Sequence, residues 1–209
     1  MHLGFWVEEP SAEVMLRNVL PKVLDETASF KAIVFRGKQD LLHKLPSRLR
    51  GYRNWLPADR RLVILVDADE DDCRRLKDRV VDQVRQAGLR LWDAADGCGE
   101  VLCRIAVEEL EAWFFGDPEA VLAAYPRMPK NFANRAAYRD PDGVRGGTWE
   151  AMERLLRRAG YFPNGLNKIE LARMISQHMD PERNRSRSFR AWCTGVRRLA
   201  APGSSGGQG

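Results

Sequence analysis

The sequence predicts an α/β fold: a parallel sheet flanked by helices, followed by a mainly helical, basic C-terminal part. Three observations carry this. Apolar strand-like runs alternate with helical periodicities as far as Asp117. One of those runs, Leu62–Val66 (LVILV), is wholly apolar, as a strand covered on both faces must be. The charge also changes sign along the chain. Residues 1–117 carry 18 Lys and Arg against 21 Asp and Glu (−3), whereas residues 118–209 carry 16 against 8 (+8).

The elements follow in order. Leu3–Val7 reads as a strand that runs into Glu8, Glu9 and Pro10. Ser11 is the expected N-cap of a helix reaching about Asp25, with Val14, Leu16, Val19, Leu20 and Val23 on its apolar face. Lys31–Arg36 is a second strand closed by Gly37. Gln39–Arg50 places Leu41, Leu42, Leu45 and Leu49 at helical spacing around Pro46. Leu62–Val66 is the third strand, with Asp67 directly after it. Glu70–Gly88 is a helix stopped by its glycine. A Gly-rich stretch at Asp96–Gly99 precedes a fourth strand, Val101–Val107. Beyond Asp117 the pattern is helical: Pro118–Tyr125, Thr148–Ala159, Lys168–Gln177 and Ser188–Leu199. Met128–Gly147, rich in Pro, Gly, Asn and Arg, reads as a loop or mobile segment. The division expected is therefore 1–117 for the sheet domain, 118–200 for a helical basic extension, and 201–209 for a flexible tail.

Composition excludes several classes. A chain of 209 residues, 44% hydrophobic and 30% charged, is globular and large enough to fold without disulfide or metal. No apolar run approaches the roughly 18 residues of a membrane helix. The opening HLGFWV lacks the basic start of a secretion signal, so a cytoplasmic location is expected. Cys73, Cys98, Cys103 and Cys193 form no CxxC pair, which sets zinc and disulfides aside.

The acids are the informative residues. Glu8 and Glu9 end the first strand, Asp67 and Asp69 the third, and Glu108, Glu109 and Glu111 follow the fourth. Carboxyl ends of parallel strands share one edge, where ligands bind, so these groups are expected to converge. Clustered carboxylates repel unless a cation neutralises them, and hard oxygen donors without His or Cys select Mg²⁺ or Mn²⁺.

Val7-Glu8-Glu9 after one apolar strand and Val66-Asp67-Ala68-Asp69 after another resemble the toprim domain of topoisomerases, primases and OLD-family nucleases. The resemblance covers about the first 115 residues. Ile105–Gly116 (IAVEELEAWFFG), together with HMDPERNRSRSF near the end, resembles an uncharacterised bacterial family grouped with toprim-like proteins, over nearly the whole chain. Glu9 and Pro10 stand where toprim domains carry glycine, which leaves both Glu8 and Glu9 eligible as the motif glutamate. The resemblance implies a toprim-like (Rossmann-like) sheet and Mg²⁺- or Mn²⁺-dependent phosphodiester cleavage. Glu8, Asp67 and Asp69 would be catalytic, and Glu8, Asp67, Asp69, Glu109 and Glu111 would hold metal. It also implies a role in bacterial defence against phage and work beside a separate ATPase, Gly37-Lys38 lacking the rest of a Walker loop.

Nucleic acid, DNA ahead of RNA, is the expected partner. Lys38 and Lys168 are candidate phosphate contacts. So are Arg183, Arg185 and Arg187, interleaved with serines. Trp113, Phe114 and Phe115 are expected as core anchors rather than a base-stacking platform, and His178 as structural. Two other readings stand beside the nuclease: a non-catalytic nucleic-acid-binding or adaptor subunit partnering an ATPase, and a phosphoryl-transfer enzyme acting on a small nucleotide.

Overall fold

The computed structural model describes residues 1–201 apart from 56, 58 and 93–97. Most of the expected tail and the Asp96–Gly97 part of the Gly-rich stretch lie outside the described residues. Four strands, β1 (His2–Val7), β2 (Ser29–Val34), β3 (Arg60–Asp67) and β4 (Val101–Ala106), form one sheet in the order β2-β1-β3-β4. Every pairing is parallel. The crossovers contain α1 (Pro10–Val23), α2 (Lys38–Trp55) and α3 (Cys73–Gln86). The fold is therefore α/β, as the alternating pattern predicts.

Strand periodicity divides the core in two. Leu3, Phe5, Val7, Val63, Leu65 and Leu102 point to one face, where they pack with α1 and the C-terminal helices. Trp6, Leu62, Ile64, Val66, Val101 and Cys103 point to the other, under α2 and α3. β3 is central and buried on both faces, which is why it contains no polar residue between Leu62 and Val66.

Helix ends depart from the sequence reading for identifiable reasons. α1 starts at Pro10, whose fixed φ suits the first helical position, and Glu9 takes the N-cap place. The Ser11 hydroxyl donates back to Glu9 Oε1 at 2.6 Å instead of capping. α2 continues past the expected Arg50 to Trp55, with Pro46 inside it. The buried stripe Leu41, Leu42, Leu45 and Leu49 holds the helix across that proline. α3 begins at Cys73 rather than Glu70, because the Asp72 carboxylate accepts the Arg74 and Arg75 amides.

After β4 come α4 (Glu111–Phe115), α5 (Pro118–Ala124), α6 (Thr148–Arg158), α7 (Lys168–Ser176) and α8 (Arg187–Ala200). These share the first core rather than forming a second: α8 packs on β3 and β4, and α7 on α1. Trp113, Phe114 and Phe115 are fully buried there, in the core-anchor role. The Met128–Gly147 segment has two short 3-10 turns and buries Met128, Phe132 and Val144. The four cysteines are free thiols. Among the described residues, no helix is long and apolar enough to cross a membrane.

Candidate functional site: a carboxylate cleft at the strand ends

The carboxyl edge of the sheet is tied together by its own acids. Glu8, directly after β1, accepts the Asp67 amide on Oε1 at 2.6 Å. Asp67 ends β3, and its Oδ2 accepts the Leu110 amide at 3.3 Å. Both side chains are nearly buried. Asp69 and Glu108 adopt left-handed backbone, with φ of 48° and 63°, and the Asp69 amide donates to the Glu108 carbonyl at 2.6 Å. Two neighbouring non-glycine residues in that region store backbone strain, which is typical of functional loops.

Lys38 Nζ, at the start of α2, lies 2.8 Å from the Ala68 carbonyl, 2.7 Å from Asp69 and 2.9 Å from Asp71. An ammonium has three donors, and here all three are engaged. Lys38, expected as a phosphate contact, therefore fixes the Asp69 loop.

Glu111 opens α4 and is fully buried, and neither of its carboxylate oxygens has a hydrogen-bond partner. Burial pushes its pKa to about 8 against the opposing pull of Lys168, with Glu109 and Glu9 adding repulsion. Burial likewise pushes Glu8 to about 7, although the Asp67 amide works the other way. Asp67 is raised well above the carboxylate range, first by burial and then by Glu8, Glu111, Glu9 and Asp69. Asp67 therefore lies within the electrostatic field of both Glu8 and Glu111.

Glu109 faces elsewhere. Its Oε2 accepts the Thr148 hydroxyl at 2.9 Å and the Trp149 amide at 2.8 Å, which caps α6. Lys168, the first residue of α7, stands 3.8 Å from Glu9 and 3.9 Å from Glu109, over the Trp149 ring at 5.1 Å. Burial works to lower its pKa, but Glu111, Glu9, Glu109 and Asp67 together raise it. Both contacts are too long for a firm hydrogen bond, so this ammonium acts as a point charge among acids. Beside these groups opens a cleft of about 990 Å³, lined in part by Lys38, Asp69, Glu108, Glu109 and Gly147 but not by Glu8, Asp67, Glu111 or Lys168.

The donor set is all oxygen and suits a hard cation. Among the described residues, no three His, Cys, Asp or Glu side chains already stand in ligating positions. Asp69 is turned to Lys38, Glu109 to α6 and Glu9 to Ser11. The orphaned oxygens of Glu111, together with buried Glu8 and Asp67, are what a cation would relieve.

The segment containing HMDPERNRSRSF does something the sequence did not reveal. Asp117, fully buried, accepts from Arg183 Nε and a terminal guanidinium nitrogen at 2.8 and 2.9 Å, and from the Asp180 amide at 2.8 Å. Asn184 Nδ2 donates to the Trp113 carbonyl at 2.7 Å, and the Arg185 amide donates to the Gly116 carbonyl at 2.8 Å. Asp142 accepts from the Ser186 and Ser188 hydroxyls and from the Arg187 and Ser188 amides, filling the N-terminus of α8. The segment is a brace that holds α4, and with it Glu111. Arg183 belongs to that brace rather than to an open groove. Arg187 lies on the surface beside Asp140 at 3.0 Å, and Arg185 is exposed. Neither lines the acidic cleft.

Glu9 and the α6 cap were missed as partners of Lys168. One signal was present: Asn167 three residues before Glu170 marks a helix start and puts Lys168 in its first turn. Glu111 was legible as an anomaly, an acid set directly before Ala112, Trp113, Phe114 and Phe115.

The family model described as a domain of unknown function, DUF4276, matches residues 7–197. The chain belongs to the DUF4276 family. No curated protein and no solved structure matches it. The matched span of this DUF4276 chain takes in the strand-end acids from Glu8 to Glu111, the acids lining the cleft, and the brace behind α4.

Proposed function

We propose that this DUF4276 protein is a toprim-type, Mg²⁺- or Mn²⁺-dependent nuclease that hydrolyses nucleic-acid phosphodiesters. The observation that carries the reading is Glu111: a fully buried carboxylate without a hydrogen-bond partner, within the electrostatic reach of buried Asp67, which Glu8 also reaches, at the carboxyl edge of a parallel sheet. Glu8, Asp67 and Glu111 would hold the cation, with Asp69 and Glu109 joining only on release from Lys38 and from α6. A bound divalent ion would supply charge stabilisation at the scissile phosphate. Hydrolysis adds water at phosphorus, breaks one P–O bond and delivers a proton to the leaving oxygen. Glu8 either binds the ion or, left outside its ligand shell, holds or gives that proton, a role its burial-raised pKa of about 7 suits. Lys38 keeps the Asp69 loop in its strained form. Lys168 is placed to meet a phosphate with the charge it now shares between Glu9 and Glu109.

A partner ATPase, and a role in defence against phage, belong to the same reading. The test is incubation of supercoiled DNA, linear DNA and RNA with Mg²⁺ or Mn²⁺, comparing wild type with Asp67→Ala/Asp69→Ala. Weak Mn²⁺-supported cleavage by the isolated protein, lost in the double variant, is expected. Cleavage that survives in the variant defeats the site assignment. Cation binding with no cleavage of any substrate favours the adaptor alternative.

The exposed arginines have a separate expected result. Arg185→Ala and Arg187→Ala should each lower the salt slope of nucleic-acid binding by about one unit, the signature of a single lost phosphate contact. An unchanged slope in both variants removes this surface from the interface.

A further inference from the structure

The α2-covered face of the same sheet has a second opening. In the sheet register Gly4 sits beside Lys31 and Trp6 beside Ile33, on the face that α2 covers. α2 lays Tyr52 edge-to-face on Trp6, with ring centroids 5.8 Å apart. Between this pair and the edge strand β2 lies a cavity of about 360 Å³. That is within the range of about 300–1,000 Å³ usual for small-molecule sites.

Two independent features indicate that the space is kept for an occupant. The first is a pair of glycines. Gly4 lies inside β1 and Gly51 inside α2, and both line the cavity. A Cβ on Gly51 would meet nothing within 4 Å, and one on Gly4 would make ordinary contacts from 3.7 Å outward. Neither backbone is in the left-handed region, so conformation does not require glycine at either place. Glycine is unfavourable in mid-strand and mid-helix, and in strands it often marks close approach by a ligand. The absent side chains are what leave the cavity open.

The second feature is charge. Lys31, Arg48 and Arg60 line the cavity with positive charge, beside His2, whose pKa burial and Arg60 lower, and no acidic residue does so among those described. Lys31 lies on the exposed edge strand, and Arg48 lies over the Phe35 ring at 5.3 Å. The His2 ring is oriented by Ser29, with Nδ1 and Oγ 2.9 Å apart. The walls are aromatic and apolar while the rim is basic, which demands an occupant with both properties.

We propose that this pocket binds a small organic anion with a flat apolar body, such as an aromatic carboxylate or an aromatic phosphate monoester. The ring system would seat against Trp6, Ile33 and Tyr52, and the anionic group would meet the basic rim. Inorganic phosphate lacks the body, and a neutral aromatic lacks the charge. The pocket shares no lining residue with the acidic cleft, so it does not depend on the nuclease reading.

The experiment is an amide NMR titration of the full chain with naphthoate, naphthylmethanol and inorganic phosphate. Naphthoate should shift the Gly4 and Gly51 amides and saturate, with the other two binding at least about tenfold more weakly. Gly51→Leu should bind naphthoate at least about tenfold more weakly without loss of helix, leucine being the better helix former. Gly4→Val, favoured on a strand, is the second blocking variant should Gly51→Leu not fold. Arg48→Gln should bring naphthoate down towards naphthylmethanol. Equal affinity for naphthoate and naphthylmethanol overturns the proposal. So do shifts confined to other amides, or undiminished binding in a folded blocking variant.

Discussion

Glu111→Met should make the metal-free protein more stable at neutral pH, by about 2 kcal/mol, because a well-packed apolar side chain replaces an uncompensated buried acid. For a chain of this length that corresponds to a rise of about 4–8 °C in melting temperature. The pH dependence identifies the cause. The folded protein holds the Glu111 proton up to about 8, whereas the unfolded chain releases it near the ordinary value of 4.5. Between those limits the folded state binds more protons than the unfolded state. Wild-type stability therefore falls as pH rises through that window, the reverse of a salt-bridged carboxylate. Glu8, raised to about 7, adds a second contribution of the same sign. The advantage of Glu111→Met should accordingly be small below about pH 4.5 and largest above about pH 8. Mn²⁺ should raise the wild-type melting temperature and leave that of the variant nearly unchanged, since a cation stabilises only the state that binds it. Calorimetry across this pH range, with and without Mn²⁺, reads all of these effects. A variant less stable than wild type at every pH would mean that the carboxylate is compensated, and the cation site would lose its main support.

The strand ends were legible because two simple rules met there. Uniformly apolar runs identify strands buried on both faces, and the first polar residue after each run marks where the chain leaves the sheet. That places Glu8 and Asp67 at one edge without any knowledge of packing. Side-chain direction follows no such rule. Glu109 and Glu111 are two residues apart, yet the first turns to cap α6 and the second is sealed beneath it. That difference depends on where α6 and α7 dock, 40 to 60 residues further along the chain. Lys38 was legible as a loop lysine but not as a saturated one, because its acceptors come from the loop after β3. Pro46 shows the same limit from the other side. Local propensity argues for a break, and four buried leucines override it.

Within the basic run near the C-terminus, Arg183 is the residue whose charge is already taken up by the fold, and Arg183→Ala tests this. Composition alone makes Arg183 a phosphate contact, because it cannot show that an acid is already waiting. Asp117 is fully buried and takes both nitrogens of the arginine fork. Removing the arginine leaves that carboxylate with two amides, from Ala120 and Asp180, and only the nearby charge of Lys22, which is not bonded to it. Loss of one partner of a buried pair costs about 3–5 kcal/mol. Arg183 is 34% exposed, so solvent screening brings the expected loss down to about 2 kcal/mol, or about 4–8 °C in melting temperature. Asp117→Asn in the same chain should recover part of the loss, because it removes the stranded charge. The salt slope of nucleic-acid binding should not change, in contrast to Arg185→Ala. Cation affinity should fall even though Arg183 lies outside the cleft. Asp117 and Asn184 hold the two ends of the Trp113–Asp117 segment, and Glu111 projects from the turn just before it. A lower salt slope with an unchanged melting temperature would restore the phosphate role and take the brace out of the account of how Glu111 is held.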